Sequence, residues 1–220
     1  MKRTIGLLVS GLVALSLVST AGIASAQGAN ATLHVLHAVP GATVDVCVDG
    51  AEVKSNFEYK RRFTAELPAG EYRVVIRAAA SGECTGDRVK GANVTLEAGK
   101  NYTAAAGLSK HGTVKLFAFQ NDVRDLRKGV ARVEVRHIAA APRVDVWVDG
   151  APAIRRFPNG EQARVKLPAG GYTVRVAPAG TTTTVIGPRT FDLSGGTAYQ
   201  VFATGNGDAG YNFLVLAQKV

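Results

Sequence analysis

The heptad VDVCVDG at residues 44–50 returns one hundred positions later as VDVWVDG at residues 144–150, with Cys47 replaced by Trp147. A self-match at long range is the mark of a duplicated structural unit. The flanks fall into the same register: His37 on His137, Asp45 on Asp145, Asp49-Gly50 on Asp149-Gly150, LPAG at 67–70 on LPAG at 167–170, and Tyr72 and Val74 on Tyr172 and Val174. Beyond them the offset drops to 97, pairing Leu96, Gly99 and Tyr102 with Leu193, Gly196 and Tyr199. The first copy therefore carries an insertion, and the stretch that holds it, SGECTGDRV, contains Cys84.

Both copies read as β throughout. Leu33 and Val35, Val133 and Val135, Phe63, Ala65 and Leu67, and Tyr72, Val74 and Ile76 alternate with their neighbours at a period of two, bounded by Gly and Pro, and no stretch sustains a helical period. Each LPAG reads as a hairpin turn with Pro at its second position. Each Asp-Gly reads as another, because both residues adopt left-handed backbone conformations readily. About seven short strands in roughly ninety residues is the size of an immunoglobulin-like sandwich. The expected fold class is all-β: two tandem immunoglobulin-like β-sandwich domains after a signal peptide. The divisions are residues 1–26 for the signal peptide, 27–120 for the first repeat, 121–129 for a charged linker and 130–220 for the second repeat. The linker is short enough that the domains should touch.

The signal peptide rests on Lys2 and Arg3, an uncharged run through Ile23, and the small-x-small site Ala24-Ser25-Ala26. No other apolar run in the sequence is long enough to span a bilayer as a helix. Export, to the cell surface, periplasm or medium depending on the host, is the expectation. Without Lys2 and Arg3, 24 basic residues face 17 acidic ones. These charges are scattered, which reads as a solvated surface, with attraction to anionic envelope polymers as the alternative and no specific nucleic acid implied.

The stretches HAVPGATVDVCVDG and HIAAAPRVDVWVDG resemble the opening motif of a bacterial secreted family, domain of unknown function 4397. The resemblance covers both copies. It implies an extracytoplasmic all-β domain and brings no activity or catalytic residues. The second copy departs from the motif by writing Ala140-Ala141-Pro142 where the first has Pro40-Gly41.

Alternation answers why one letter of the heptad changes. Val44, Val46 and Val48 share one strand face, which must be the core side, and Asp45, Cys47 and Asp49 share the other. In an exported chain with two cysteines, one on a strand and one in an inserted loop, a Cys47–Cys84 disulfide is expected, with two free thiols or a bond to another chain as alternatives. The second copy has no cysteine, and Trp147 can cover a similar area by packing. Alternatively, Trp147 with Arg143, Arg155 and Arg156 forms a ligand surface for an anionic polymer or sugar.

Catalytic parts are missing from the motifs. His34, His37, His111 and His137 have no metal-ligand spacing, and His37 and His137 read as hydrogen-bonded residues that fix the following loop. Asp45, Asp49, Asp145 and Asp149 have the spacing of paired carboxylates, but a polar strand face ending at an Asp-Gly turn produces the same pattern. No nucleophile elbow, phosphate loop or calcium loop is present, and no cofactor is implied. The expected function is a non-enzymatic exported module, binding or structural, whose partner is an unknown protein or an anionic or polysaccharide envelope component. The alternatives are a cell-envelope hydrolase with its site at the domain junction, and a protein inhibitor or partner that acts by strand-edge pairing.

Overall fold

The computed structural model of the chain describes residues 29–80, Cys84 and residues 90–220. The expected signal peptide, and all of the inserted segment but Cys84, lie outside the described residues. Among these, sixteen strands and no helix are found. The first copy contributes β1 (Ala31–His37), β2 (Thr43–Val48), β3 (Ala51–Glu58), β4 (Arg62–Leu67), β5 (Gly70–Ala78), β6 (Lys90–Leu96), β7 (Asn101–Leu108) and β8 (Val114–Asn121). The second contributes β9 (Val130–His137), β10 (Val144–Val148), β11 (Ala151–Phe157), β12 (Gln162–Pro168), β13 (Gly170–Pro178), β14 (Ile186–Leu193), β15 (Thr197–Asn206) and β16 (Gly210–Lys219). Each copy thus supplies eight strands, one more than the sequence spacing indicated.

Each copy makes two four-stranded sheets, ordered β4-β1-β7-β8 and β3-β2-β5-β6 in the first, β12-β9-β15-β16 and β11-β10-β13-β14 in the second. The pairings are antiparallel except β1 with β7 and β9 with β15, which run parallel. The heptad valines face inward as alternation required: Val44 and Val46 lie in the first core with Leu33, Val35 and Phe57, and Val144 and Val146 in the second with Val133 and Phe157. The Asp-Gly turns close two-residue hairpins, pairing Val48 with Ala51 and Val148 with Ala151. Asp49 and Gly50 both have positive φ, at 49° and 82°, as that turn demands.

The LPAG segments are not hairpins. β4 pairs with β1 and β5 pairs with β2 and β6, so the chain crosses at LPAG from one sheet to the other. Phe63 and Leu67 therefore face Tyr72, Val74 and Ile76 across one core, instead of lying beside them in one sheet. The Tyr72 hydroxyl donates to the Pro68 carbonyl at 2.9 Å, and Tyr172 to Pro168 at 3.0 Å, which pins each corner.

The two sandwiches stack through the outer faces of β4-β1-β7-β8 and β12-β9-β15-β16. Leu36, Ala38, Ala105, Phe117 and Phe119 pack there against Ile138 and Phe202. Backbone continues the contact, with the Leu108 N–H donating to the Ile138 carbonyl at 2.9 Å. Gly107 permits this approach, since a Cβ there would stand 2.9 Å from the Ile138 Cβ. The rest of the interface is polar. Arg132, Glu134 and Arg136, which alternate with the core residues of β9, are almost completely buried, and so is Gln200. They are not the solvated charges that the sequence led us to expect. Glu134 accepts from Arg164 at 2.7 Å and Gln200 at 3.0 Å, and pairs with Arg136 at 3.4 Å. Arg136 donates to Asn121 at 2.7 Å while its guanidinium lies over the rings of Phe119 and Phe202. Burial pushes its pKa down to about 10, which leaves it charged at neutral pH. From the linker, Asp122 pairs with Arg132 at 3.1 Å and with Arg124 at 2.8 Å. The Arg124 hydrogen bond holds the Asp122 carboxyl far below the ordinary carboxylate range.

Candidate functional site

The heptad acids are spoken for by backbone. Asp45 accepts from the N–H groups of Asn56 at 2.8 Å and Ala80 at 3.1 Å, and Asp145 from those of Arg156 at 2.7 Å and Gly180 at 2.9 Å. Both sites answer one local problem. The β2–β3 and β10–β11 ladders slip at a bulge, where Asn56 and Arg156 take positive φ and leave an N–H without a ladder partner. The N–H groups of Arg156 and then Gly180 lower the Asp145 pKa. Asp49 and Asp149 likewise accept from the N–H groups of Arg73 and Thr173, both at 2.8 Å. Carboxylates held this way brace turns, and their spacing in the sequence reflects the bulge and hairpin they serve.

The histidines at the strand ends also hold loops. His37 Nε2 lies 3.0 Å from the Ala42 carbonyl, to which only a protonated nitrogen can donate, and Nδ1 accepts from the Val39 N–H at 3.2 Å. His137 Nε2 lies 2.9 Å from the Pro142 carbonyl. Burial lowers the pKa of both rings, favouring the neutral form that the pair of bonds at His37 requires. Among the described residues no cluster of His, Cys, Asp and Glu is arranged to hold a metal ion.

Cys47 and Cys84 are joined by a disulfide, with their Cα atoms 5.8 Å apart. The opposite face of the second copy is covered differently. Trp147 is half-buried, and the Arg175 guanidinium lies 4.1 Å from its ring centroid. Arg175 was not among the residues singled out in the sequence, though a signal existed. It pairs with Trp147 across the ladder where Val75 pairs with Cys47, so a cation replaces an aliphatic residue opposite the one changed letter.

The structure divides the expected ligand surface. Arg143 and Arg156 come together, Arg143 donating to the Arg156 carbonyl at 3.3 Å, and both line an open cleft of about 750 Å³. Trp147 and Arg155 are not in its lining. The first copy supplies the facing wall through Ser109, Lys110 and His111 of the β7–β8 turn, and Asn159 from the second copy bridges the two by donating to the Leu108 and Ala139 carbonyls. Lys110 and His111 carry no motif, and only the stacking of the two sandwiches brings them to Arg143. The cleft lining holds Lys110, Arg143, Arg156 and His111 and no carboxylate. Its Ser109 hydroxyl is engaged with Thr113 at 2.6 Å.

Residues 31–147 and 138–220 each match the family described as Domain of unknown function (DUF4397). No curated protein is similar enough in sequence to match the chain. Among solved structures, the chain is similar to the carbohydrate-binding module CBMbc of family CBM26 from Eubacterium rectale Amy13K, solved in complex with maltoheptaose. The identity is 12%, with 87% of this chain and 97% of that chain covered, and the TM-score of 0.23 is too low to transfer any residue role.

Proposed function

The chain belongs to the DUF4397 family, with two copies of its domain, and from that premise we propose that it is an exported, non-enzymatic binding module of the bacterial cell surface or medium. Its ligand is an anionic or polysaccharide component of the envelope, held in the cleft between the two copies. The observation that carries this reading is the cleft wall itself: cations from both copies converge on one open surface without a carboxylate among them. An acid-base pair for glycoside hydrolysis would need two carboxyl groups there. Open, solvent-filled clefts with several cations favour polymers of distributed negative charge, whose binding weakens as salt screens it.

Retention of the full chain on immobilised wall polysaccharide, eluted by a salt gradient, tests the proposal. Arg143→Ala/Arg156→Ala is expected to elute at markedly lower salt, and Arg155→Ala close to the parent. Trp147 emission should not change on binding, because the indole lies outside the cleft. Equal elution of the Arg143→Ala/Arg156→Ala variant and the parent would overturn the assignment of the site.

A further inference from the structure

We propose a second and separate site: the interior of the second sandwich is an open pocket for one unbranched aliphatic chain bearing an anionic head. The two sandwiches share a strand plan but not a filling. In the first, Phe63 on β4 stands opposite Val35 and packs edge-on against Phe57, with ring centroids 5.5 Å apart. In the second, the matching position on β12, opposite Val135, is Ala163. The second copy carries rings elsewhere, at Phe191 and Phe213 where the first has Val94 and Leu116, and a space remains beside Ala163. Positions sealed in the first copy, Val35 at 2%, Val74 at 0% and Tyr102 at 7% exposure, correspond to Val135, Val174 and Tyr199, which are all half-buried.

The result is a cavity of about 410 Å³ between the sheets, lined by Val135, Val146, Ile154, Ala163, Phe191 and Phe213 among others. Small-molecule sites fall between roughly 300 and 1,000 Å³. The lining is predominantly apolar; its charged members are Arg164, paired with Glu134, and Asp192 on β14, at the side away from β12, and the tyrosine hydroxyls on its wall are occupied. Tyr172 donates to the Pro168 carbonyl, and Tyr199 accepts from the Ser194 N–H at 2.9 Å. With few polar groups to hold water, such a space favours hydrocarbon. Phe191 against Phe213, at 5.5 Å, closes the β14–β16 side. Ala153 on β11 and Val165 on β12, edge strands of different sheets, line the cavity and are both exposed, which puts the mouth on that side. Crossing the sheet from mouth to closed side covers three strand spacings, roughly 14 Å. A depth of that order suits a chain better than a compact ring.

The lips set the head group. Val165 on β12 is 43% exposed and lines the cavity, so it stands at the mouth. The two lip strands, APAIRRF and QARVKLP, contain Arg155, Arg156, Arg164 and Lys166 and no acid. Arg164 is committed to Glu134 and Arg156 lines the cleft between the copies, while Arg155 and Lys166 are exposed. A carboxylate or phosphate at the end of the chain would emerge among these cations.

The test is titration of the full-length protein with dodecanoate, followed by calorimetry, and with 1-dodecanol as the uncharged control. One saturable site is expected, with dodecanol at least about tenfold weaker. Ala163→Phe, which restores the ring that the first copy has, should abolish binding and raise the thermal midpoint. Val135→Phe fills the same space from the neighbouring strand β9, in case the first variant does not fold. Methyl NMR of the unaltered protein should show dodecanoate shifting Val135, Val146 and Ile154 but not the first-copy residues Val35 and Val46. Phosphatidylglycerol vesicles tell the source apart: retention that Ala163→Phe removes assigns a lipid chain, and no retention assigns a free amphiphile. Absence of saturable dodecanoate binding, binding that survives in a folded Ala163→Phe protein, or shifts outside the second core would each overturn the pocket. Equal affinity for dodecanol would overturn the anionic head. Because Ala163 lies outside the cleft between the copies, failure here leaves the polysaccharide experiment undisturbed.

Discussion

Replacing Glu134 with Ala should destabilise the protein by about 3–5 kcal/mol, the cost of breaking a buried ion pair by removing one partner. The carboxylate is fully buried and accepts from Arg164, from Gln200 and from the Asp122 N–H at 3.3 Å, besides facing Arg136. Without it Arg136 keeps Asn121 at 2.7 Å and two ring faces but loses its buried counter-charge. Burial already lowers the Arg136 pKa, and Glu134 is the charge that opposes this lowering, so its removal leaves the buried guanidinium uncompensated. Arg164 is 42% exposed at its side chain and can turn to water, so most of the penalty falls on Arg136 and Gln200. Against a total stability of about 5–15 kcal/mol the loss is a large fraction. Urea unfolding at pH 7.5 measures it, followed by far-UV circular dichroism and by the fluorescence of Trp147, the only tryptophan in the chain. The companion variant Glu134→Leu/Arg136→Met removes both charges and should recover more than half of the loss. A single variant within about 1 kcal/mol of the parent, or a double variant no better than the single, would refute the claim that this pair is a buried electrostatic unit.

Three further outcomes are expected. Cys47→Ser/Cys84→Ser should lose about 4 kcal/mol, the chain-entropy value for cysteines 37 residues apart, and non-reducing peptide mapping of the exported protein should find no alkylatable thiol. Stability should fall as pH drops below about 6.5 and stay level above 7. Burial lowers the pKa of His34, His37 and His137, so the unfolded chain binds more protons in that window, and a urea midpoint that rises between pH 7.5 and 5.5 would contradict this. Asp145→Ala removes the buried carboxylate that accepts the partly buried N–H groups of Arg156 and Gly180 and should cost about 2 kcal/mol, whereas Asp149→Ala, at an exposed turn, should cost less than about 1 kcal/mol in the same urea assay.

What the sequence determined follows from short-range rules. The period of two put Val44, Val46, Val144 and Val146 in the cores, the Asp-Gly pairs closed hairpins, and the one changed letter of the heptad marked the disulfide in one copy and the covered aromatic in the other. These depend only on which way adjacent residues point and on what backbone a residue tolerates. Tertiary structure decided the rest, because pairing partners and the far sides of sheets are not properties of a segment. LPAG carries the residues of a tight turn, yet it turns a corner because β4 and β5 find partners in different sheets. Arg132, Glu134 and Arg136 alternate with core residues as solvent-facing side chains would. They are buried because a second sheet, carrying Phe119 and Asn121, covers that face, and a buried polar face is tolerable only when the opposing surface supplies its partners. The cleft is likewise a product of that stacking, since Lys110 and Arg143 are brought to one wall by an interface that neither residue's neighbours in sequence encode.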